Sequence, residues 1–372
     1  MASVCCLRRL LQSTRRSTNG QAATRSDQHV HPPTKPRFDQ DQLLQTWRQP
    51  EHERGTFLYL AYGSNLCHET FQGRRGIKPL SWLGVVVPEL RMTFDLPGVP
   101  YSEPCFANSA LRKPAHPDNA PPASEKTLVT HHPSGTDYHK DRWRKGMVGV
   151  VYEVTPSDYA HIIATEGGGS SYQDILIACH ALSSADATVP SHPTSAPFKA
   201  HTLFAPAVPP DQPQRGGRFQ RPDPAYAQPS ARYLKLITDG ADEHALPQEY
   251  KDYLRGIRPY RITTQRQRLG QFIFGMVWLP FVMLVFSLQR QYQDERGRSP
   301  KWLRTLMGAL FTAVWFSYDD FFKGLFGDGE RTQPASEDED EDEFGQTRPK
   351  WWAQRACRDN DVEYGGEKAA TR

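Results

Sequence analysis

No two of the six cysteines form a CxxC pair or stand at metal-ligand spacing: Cys5, Cys6, Cys67, Cys105, Cys179 and Cys357 are scattered over 372 residues. Neither a disulfide framework nor a cysteine-built metal site is expected, and a reducing compartment suits such a chain. Large apolar residues are scarce too. Hydrophobic residues make up 38% and prolines number 31, with a mean hydropathy of −0.66, so much of the chain lies outside any packed core. The net charge of +3 is too small to mark a nucleic-acid binder, and no nucleic-acid partner is expected. No internal repeat is visible.

Acid is missing from the N-terminus. Asp27 is the first acidic residue, after Arg8, Arg9, Arg15, Arg16 and Arg25. Residues 1–52 read as a disordered basic tail. Its Arg- and Ser-rich start has the composition of a mitochondrial transit peptide, and Cys5–Cys6 also admits palmitoylation. Proline- and polar-rich stretches at about 112–142 and 183–230 read as disordered insertions. The second carries "RGGRFQR", a basic patch that also admits a nucleic-acid reading; in a proline-rich loop it is read as part of the insertion. "SEDEDEDEFG" opens an acidic, solvent-facing tail over 328–372.

Charge is missing again from Leu269 to Gln289, "LGQFIFGMVWLPFVMLVFSLQ". These 21 residues match the roughly 20 needed to cross a bilayer, and Pro280 is tolerated in such a setting. A second apolar stretch follows Arg304. There Leu303, Leu306, Leu310 and Trp315 share one face, and Thr305, Ala309 and Ala313 form another that suits close helix packing. Residues 269–322 are therefore expected to be membrane-associated helices. The cationic flanks do not set an orientation: Arg255, Arg258, Arg261, Arg266 and Arg268 precede the apolar run, and Arg290, Arg296, Arg298, Lys301 and Arg304 follow it. A re-entrant or interfacial arrangement keeps both clusters on one side.

Between the tails, "TFLYLAYGS", "SWLGVVVPELRMTFDLP", "CFANSAL", "GMVGVVYEVTP" and "DILIACHAL" read as β segments. "TPSDYAHIIATE" reads as a helix, with Thr155 or Ser157 as cap and Pro156 in its first turn. "ARYLKLITDGADEHALPQEYKDYLRGI" reads as two helices joined at Asp239–Gly240.

Two places hold candidate chemistry. "YLAYGSNL", Tyr59–Leu66, runs from a strand into Gly63, Ser64 and Asn65. Such a break is either an ordinary turn or a loop whose amides cradle an anion or a carbonyl oxygen. Glu166 ends an apolar helix before Gly167, Gly168 and Gly169. A carboxyl group at the negative helix end, beside Ile162 and Ile163, is expected to favour its neutral form, as suits a group that takes and returns protons. The bland alternative is an exposed helix-end glutamate.

Taken together, the chain resembles the γ-glutamylcyclotransferase family. The resemblance rests on Tyr62-Gly63-Ser64-Asn65-Leu66 after a strand, on Glu166-Gly167 at a helix end with Tyr172 beyond, and on the Leu-Pro-x-Glu-Tyr helical segment after residue 231. It covers roughly 55–112, 143–182 and 231–260 and implies an α+β fold, a small mixed β-barrel with flanking helices, over 53–262. It also implies cyclisation of γ-glutamyl amides to 5-oxoproline with release of the amine, with neither cofactor, metal nor covalent intermediate. Glu166 takes the catalytic role, and Tyr62, Gly63, Ser64, Asn65, Leu66 and Tyr172 bind the substrate. The alternatives are a non-catalytic membrane adaptor of the same fold and a cyclotransferase for γ-glutamyl amines.

Overall fold

The structure, a computed structural model, describes residues 39–112, 140, 142–166, 172–183, 186–205, 220–295, 298–333, 339–341 and 347–349. Its centre is a closed five-stranded barrel in the order β1 (Phe57–Ala61), β5 (Met147–Val154), β2 (Ser81–Val87), β6 (Gln173–Ala181) and β7 (Phe198–Phe204). β5 pairs antiparallel with β1, from Phe57↔Val154 to Ala61↔Val150, and with β2, from Ser81↔Glu153 to Val87↔Met147. β6 joins at Val85↔Ala181 and runs along β7 from Gln173↔Phe204 to Cys179↔Phe198. A parallel contact, Tyr59↔His201, closes the ring. β5 is buried along nearly all of its length, as a strand with neighbours on both edges and side chains on both faces requires. β3 (Leu90–Val99) and β4 (Glu103–Leu111) form a separate two-stranded arm. Cys67, Cys105 and Cys179 are buried free thiols.

Several elements depart from the sequence reading. β7 lies inside 183–230, which reads as an insertion because the alternation in "FKAHTLF" is short and flanked by proline. Its partners are remote in sequence, so only tertiary pairing identifies it. The 1–52 stretch contains α1 (Gln40–Trp47), and α2 (Glu51–Arg54) crosses its end. Leu44 and Trp47 of α1 are buried in the main core, and the Trp47 indole donates to Glu153 Oε2 at 3.2 Å. Burying a side chain such as Leu44 contributes about 1.5–3 kcal/mol. The basic segment 1–38 lies outside the described residues, as do 113–139, 141, 184–185 and 206–219 of the insertions.

α3 (Pro156–Thr165) starts as its sequence directs: Thr155 Oγ1 accepts from the Asp158 amide at 3.1 Å, and Pro156 takes the first turn. α4 (Ala231–Glu243) runs through Asp239–Gly240 without a break, and the turn to α5 (Gln248–Gly256) falls at His244–Pro247. Gly240 serves packing, not a turn: a Cβ there would collide with the Leu66 backbone. The helix is thereby pressed against the segment after β1.

The C-terminal part is a helical hairpin, α6 (Gln265–Gln291) and α7 (Lys301–Ser317), followed by α8 (Lys323–Phe326). α6 has a full capping box, Thr264 with Gln267. Val282, Val285 and Phe286 of α6 pack on Leu303, Met307 and Phe311 of α7. By length and composition α6 is the one described helix able to cross a membrane, and only 28% of its most apolar window is buried. The small-residue face of α7 is not the packing face: Thr305, Ala309 and Ala313 are exposed. The start of the acidic tail is structural as well. Asp328 and Glu330 are buried, with Glu330 paired to Arg221 at 2.7 Å. A short ladder pairs Glu339–Glu341 with Thr347–Pro349.

Candidate active site

β1 carries the chain up through the barrel and releases it at Tyr62. Gly63 follows with a negative φ of −107°, so no left-handed conformation calls for glycine there, and its requirement is space. A Cβ there would lie 3.2 Å from the Tyr233 hydroxyl and 3.6 Å from Ala107 Cβ. Ser64–Leu66 then form a single tight helical turn, closed by the Leu66 amide on Gly63 O at 3.0 Å and the Cys67 amide on Ser64 O at 3.3 Å. The opening amides of such a turn have no acceptor within it. Tyr62, Gly63, Ser64 and Asn65 line a cleft, together with Tyr59, Phe106, Ala107, Glu166, Tyr172, Leu203 and Tyr233.

Leu66 does not line this cleft. Its side chain is fully buried, because the turn directs it inward against α4. It supports the loop from behind. Tyr62 lines the wall, but its hydroxyl donates to Leu203 O at 2.9 Å, so its proton is committed to β7. Gly167, Gly168 and Gly169 lie outside the described residues.

Glu166 caps α3 and reaches into the cleft with its side chain 12% exposed. Its Oε1 is gripped from two sides: Asn65 Nδ2 donates at 3.1 Å, and Arg75 Nη2 forms an ion pair at 2.5 Å. The Arg75 side chain is 3% exposed, and its Nη1 donates to Thr165 Oγ1 at 2.7 Å. One guanidinium thus holds both the end of α3 and the carboxylate on it. Among the described residues, no protein partner is recorded for Glu166 Oε2. The sequence reading of Glu166 weighed a helix dipole and two isoleucines; the counter-charge from Arg75 is what it lacked.

Asn65 is oriented unambiguously by this contact, since only its amide nitrogen can face a carboxylate oxygen. The same nitrogen donates to the Tyr59 hydroxyl at 2.9 Å. Asn65 Oδ1 is then left buried with no hydrogen-bond partner among the described residues, which is costly unless a ligand donates to it. Burial first, then the Glu166 charge, push the Tyr59 and Tyr172 hydroxyls up, so both phenols stay neutral beside the carboxylate.

The loop is braced from behind by α4 and its C-terminal turn. Glu243 accepts from the His68 amide at 2.6 Å. His244 Nδ1 lies 2.8 Å from Gly240 O, an acceptor, so Nδ1 carries the proton. Nε2 then accepts from the Tyr152 hydroxyl at 3.0 Å, and Tyr152 in turn sits under the Asn65 and Leu66 carbonyls. Burial holds the His244 imidazole down at about 4. The unfolded chain takes up this proton near pH 6.5 and the folded one only near pH 4. Stability is therefore expected to fall as pH drops through that window, by on the order of 3 kcal/mol, and to be insensitive to this group above it. Urea denaturation of wild type and His244→Gln at several pH values checks this. A wild-type slope between pH 6.5 and 4 no steeper than the variant's would refute it.

Tyr59, Arg75, Phe106, Ala107, Leu203 and Tyr233 were not singled out by the sequence. Tyr59 is two residues past the start of β1 and Arg75 lies in an exposed-looking "GRRG", so nothing local marks either.

Residues 264–325 match the family described as AclK C-terminal domain. The gamma-glutamyl cyclotransferase gliK of Aspergillus fumigatus is 30% identical over 277 residues, 74% of this chain and 90% of that protein. The gamma-glutamyl cyclotransferase aclK of Aspergillus oryzae is 28% identical over 295 residues, 77% of this chain and 94% of that protein. Among solved structures, a gamma-glutamyl cyclotransferase aligns at 18% identity with a TM-score of 0.37, covering 56% of this chain and 92% of that one. Relatedness along nearly the whole length of gliK, together with a barrel that brings Tyr62–Asn65 and Glu166 to one cleft, establishes that the chain belongs to the γ-glutamylcyclotransferase family.

Proposed function

We propose that the chain cyclises γ-glutamyl amides by letting the substrate's own α-amine attack its γ-carbonyl, with Glu166 as the proton shuttle. The α-ammonium docks between Glu166 Oε2 and Asn65 Oδ1. Glu166 removes a proton, and the amine nitrogen forms a bond to the γ-carbonyl carbon. The carbonyl oxygen becomes an oxyanion, for which the opening amides of the Ser64–Leu66 turn are the natural donors. As it collapses, the C–N bond of the amide breaks and Glu166 gives its proton to the departing nitrogen, then takes the second proton from the new ring nitrogen and passes it to the released amine, which leaves the lactam N–H. The products are 5-oxoproline and a free amine or amino acid. Tyr62 and Tyr172 wall the pocket, and Tyr233 lines its far side.

The observation that carries this reading is the single-sided anchoring of Glu166. Oε1 is held by Asn65 and Arg75, which leaves the other oxygen for the substrate, next to a buried acceptor in need of a donor. Holding amine and carbonyl in one cleft makes the attack intramolecular in a fixed geometry, which supplies a large part of the rate. The test is incubation of purified protein with a panel of γ-glutamyl amino acids, peptides and amines, assaying 5-oxoproline. Release from none of them would overturn the reading.

The cradle role of the turn makes a separate prediction. Gly63→Val is expected to reduce kcat/KM far more than Ser64→Ala. Branched methyl groups at position 63 would press on Tyr233 and Ala107, whereas loss of one hydroxyl removes at most one hydrogen bond, about 0.5–1.5 kcal/mol or up to roughly tenfold. Equal losses would count against close backbone approach to the substrate.

The same reading places the protein on a membrane through 269–289, with the barrel on the cytosolic, reducing side. The free buried thiols and the exposed apolar residues of α6 support it.

A further inference from the structure

A helix that crosses a bilayer separates its two ends by the thickness of the membrane. α6 does not leave the folded body at either end. Near its start Gln267 Nε2 donates to Asp328 O at 2.8 Å and Gln271 Nε2 to Tyr101 O at 2.7 Å, at the tip of the β3–β4 arm. Just past its end Gln293 Nε2 donates to Ala164 O at 2.8 Å, two residues from Glu166. With 27 residues at 1.5 Å each, the helix is about 40 Å long. It lies along the cyclotransferase domain and does not point away from it.

One side of α6 packs on α7 and the other is uncovered. Leu269, Phe272, Met276, Val277, Phe281 and Leu284 are exposed, with Phe272 at 61% and Met276 at 65%. At 100° per residue they occupy one continuous half of the helix. Arg290 falls on one edge of that half and Arg268 about 40° beyond the same edge, one at each end of the helix, and neither has an acidic partner among the described residues. No Asp or Glu occurs from Tyr253 to Gln293 or from residue 296 to Tyr318. At the hairpin turn Arg298, Lys301 and Arg304 are exposed and outnumber the exposed Asp294 and Glu295. An apolar face this wide is more than a soluble surface normally shows. Its cationic ends and the lack of carboxylates along the helix itself specify a covering surface that is apolar inside and anionic at its border, which is the profile of an anionic lipid leaflet.

We infer that α6 lies in the plane of the membrane interface. Its Leu269–Leu284 face enters the acyl boundary, and Arg268 and Arg290 bind lipid phosphates, so the protein docks on one leaflet without crossing it. This rests on the membrane attachment proposed above and fixes its mode.

The test uses the full chain with Cys5, Cys6 and Cys357 changed to Ser, and single cysteines at 272, 276 or 284 carrying an environment-sensitive fluorophore. Flotation with phosphatidylcholine vesicles is compared with flotation on vesicles containing phosphatidylserine. Binding is expected on the anionic vesicles, weakened roughly thirtyfold by Arg268→Gln with Arg290→Gln and lost in Phe272→Asp, while 5-oxoproline release by these variants is retained. Depth-dependent quenching by spin-labelled lipids is expected to place all three labels at one shallow level. A label at 276 deep in the bilayer with shallower neighbours would overturn the in-plane mode while leaving membrane attachment intact. Failure to float on either vesicle would overturn both. So would self-association of the chain through this face without vesicle binding.

Discussion

Purified Glu166→Gln is expected to release 5-oxoproline about 10^2–10^4-fold more slowly than the wild type, the range typical for loss of a positioned general base. The amide preserves the shape of the site. Its oxygen can still accept from Asn65 Nδ2 and lie against Arg75, the two groups now fixed on Oε1, but its amide nitrogen then faces the substrate ammonium, so KM is expected to rise as kcat falls. What disappears is an oxygen able to take the ammonium proton. The substitution also leaves the buried Arg75 without its counter-charge, and breaking a buried pair costs about 3–5 kcal/mol. A lowered unfolding midpoint with a native-like spectrum is therefore part of the expected result, and the assay belongs at a temperature where the variant is fully folded. Turnover near the wild-type rate would remove Glu166 from the mechanism.

The readable parts of this protein were those whose cause is local. The strand–turn break at Gly63, the Thr155 cap and the long uncharged run each depend on neighbours within a few residues, and each occurs in the structure where the sequence places it. β7 and α1 escaped because their reason to exist is remote. Phe198–Phe204 becomes a strand by pairing with β6 and touching β1 across the barrel, and Trp47 is ordered by Glu153, more than a hundred residues away. Gly240 was misread for a related reason. A glycine in a helical pattern suggests a stop, whereas here it permits the helix to press on the Leu66 backbone.

The same distinction runs through the site. Tyr62, Gly63, Ser64 and Asn65 are consecutive, and a motif can announce them. Leu66 belongs to that motif yet faces the core, since a single helical turn cannot direct five successive side chains to one side. Glu166 was visible as a carboxyl group where a helix dipole disfavours one. The partner that compensates it comes from the turn after the motif, and "GRRG" gives no hint that one of its two arginines is fully buried under Glu166 while the other is half-buried and pairs with Glu69.

That buried arginine supports the second large prediction. Arg75→Ala is expected to lower kcat by about 10^2-fold while leaving KM within a fewfold of wild type. The guanidinium does not line the cleft; it acts on the substrate only through Glu166, by fixing Oε1 and tying Thr165 Oγ1 at the helix end. With it gone, the carboxylate keeps one hydrogen bond, from Asn65, and is free to swing, and misplacement by an ångström can cost this much. Arg75→Lys is expected to recover only part of the loss, because an ammonium supplies the charge but not the planar fork that reaches Thr165 and Glu166 together. A double-mutant cycle separates this role from general damage to the fold. If Arg75 acts through Glu166, then Arg75→Ala should cost almost nothing further in kcat when Glu166 is already Gln, a coupling of nearly the full single-mutant effect. Independent, multiplying losses would mean that Arg75 supports the barrel and not the carboxylate.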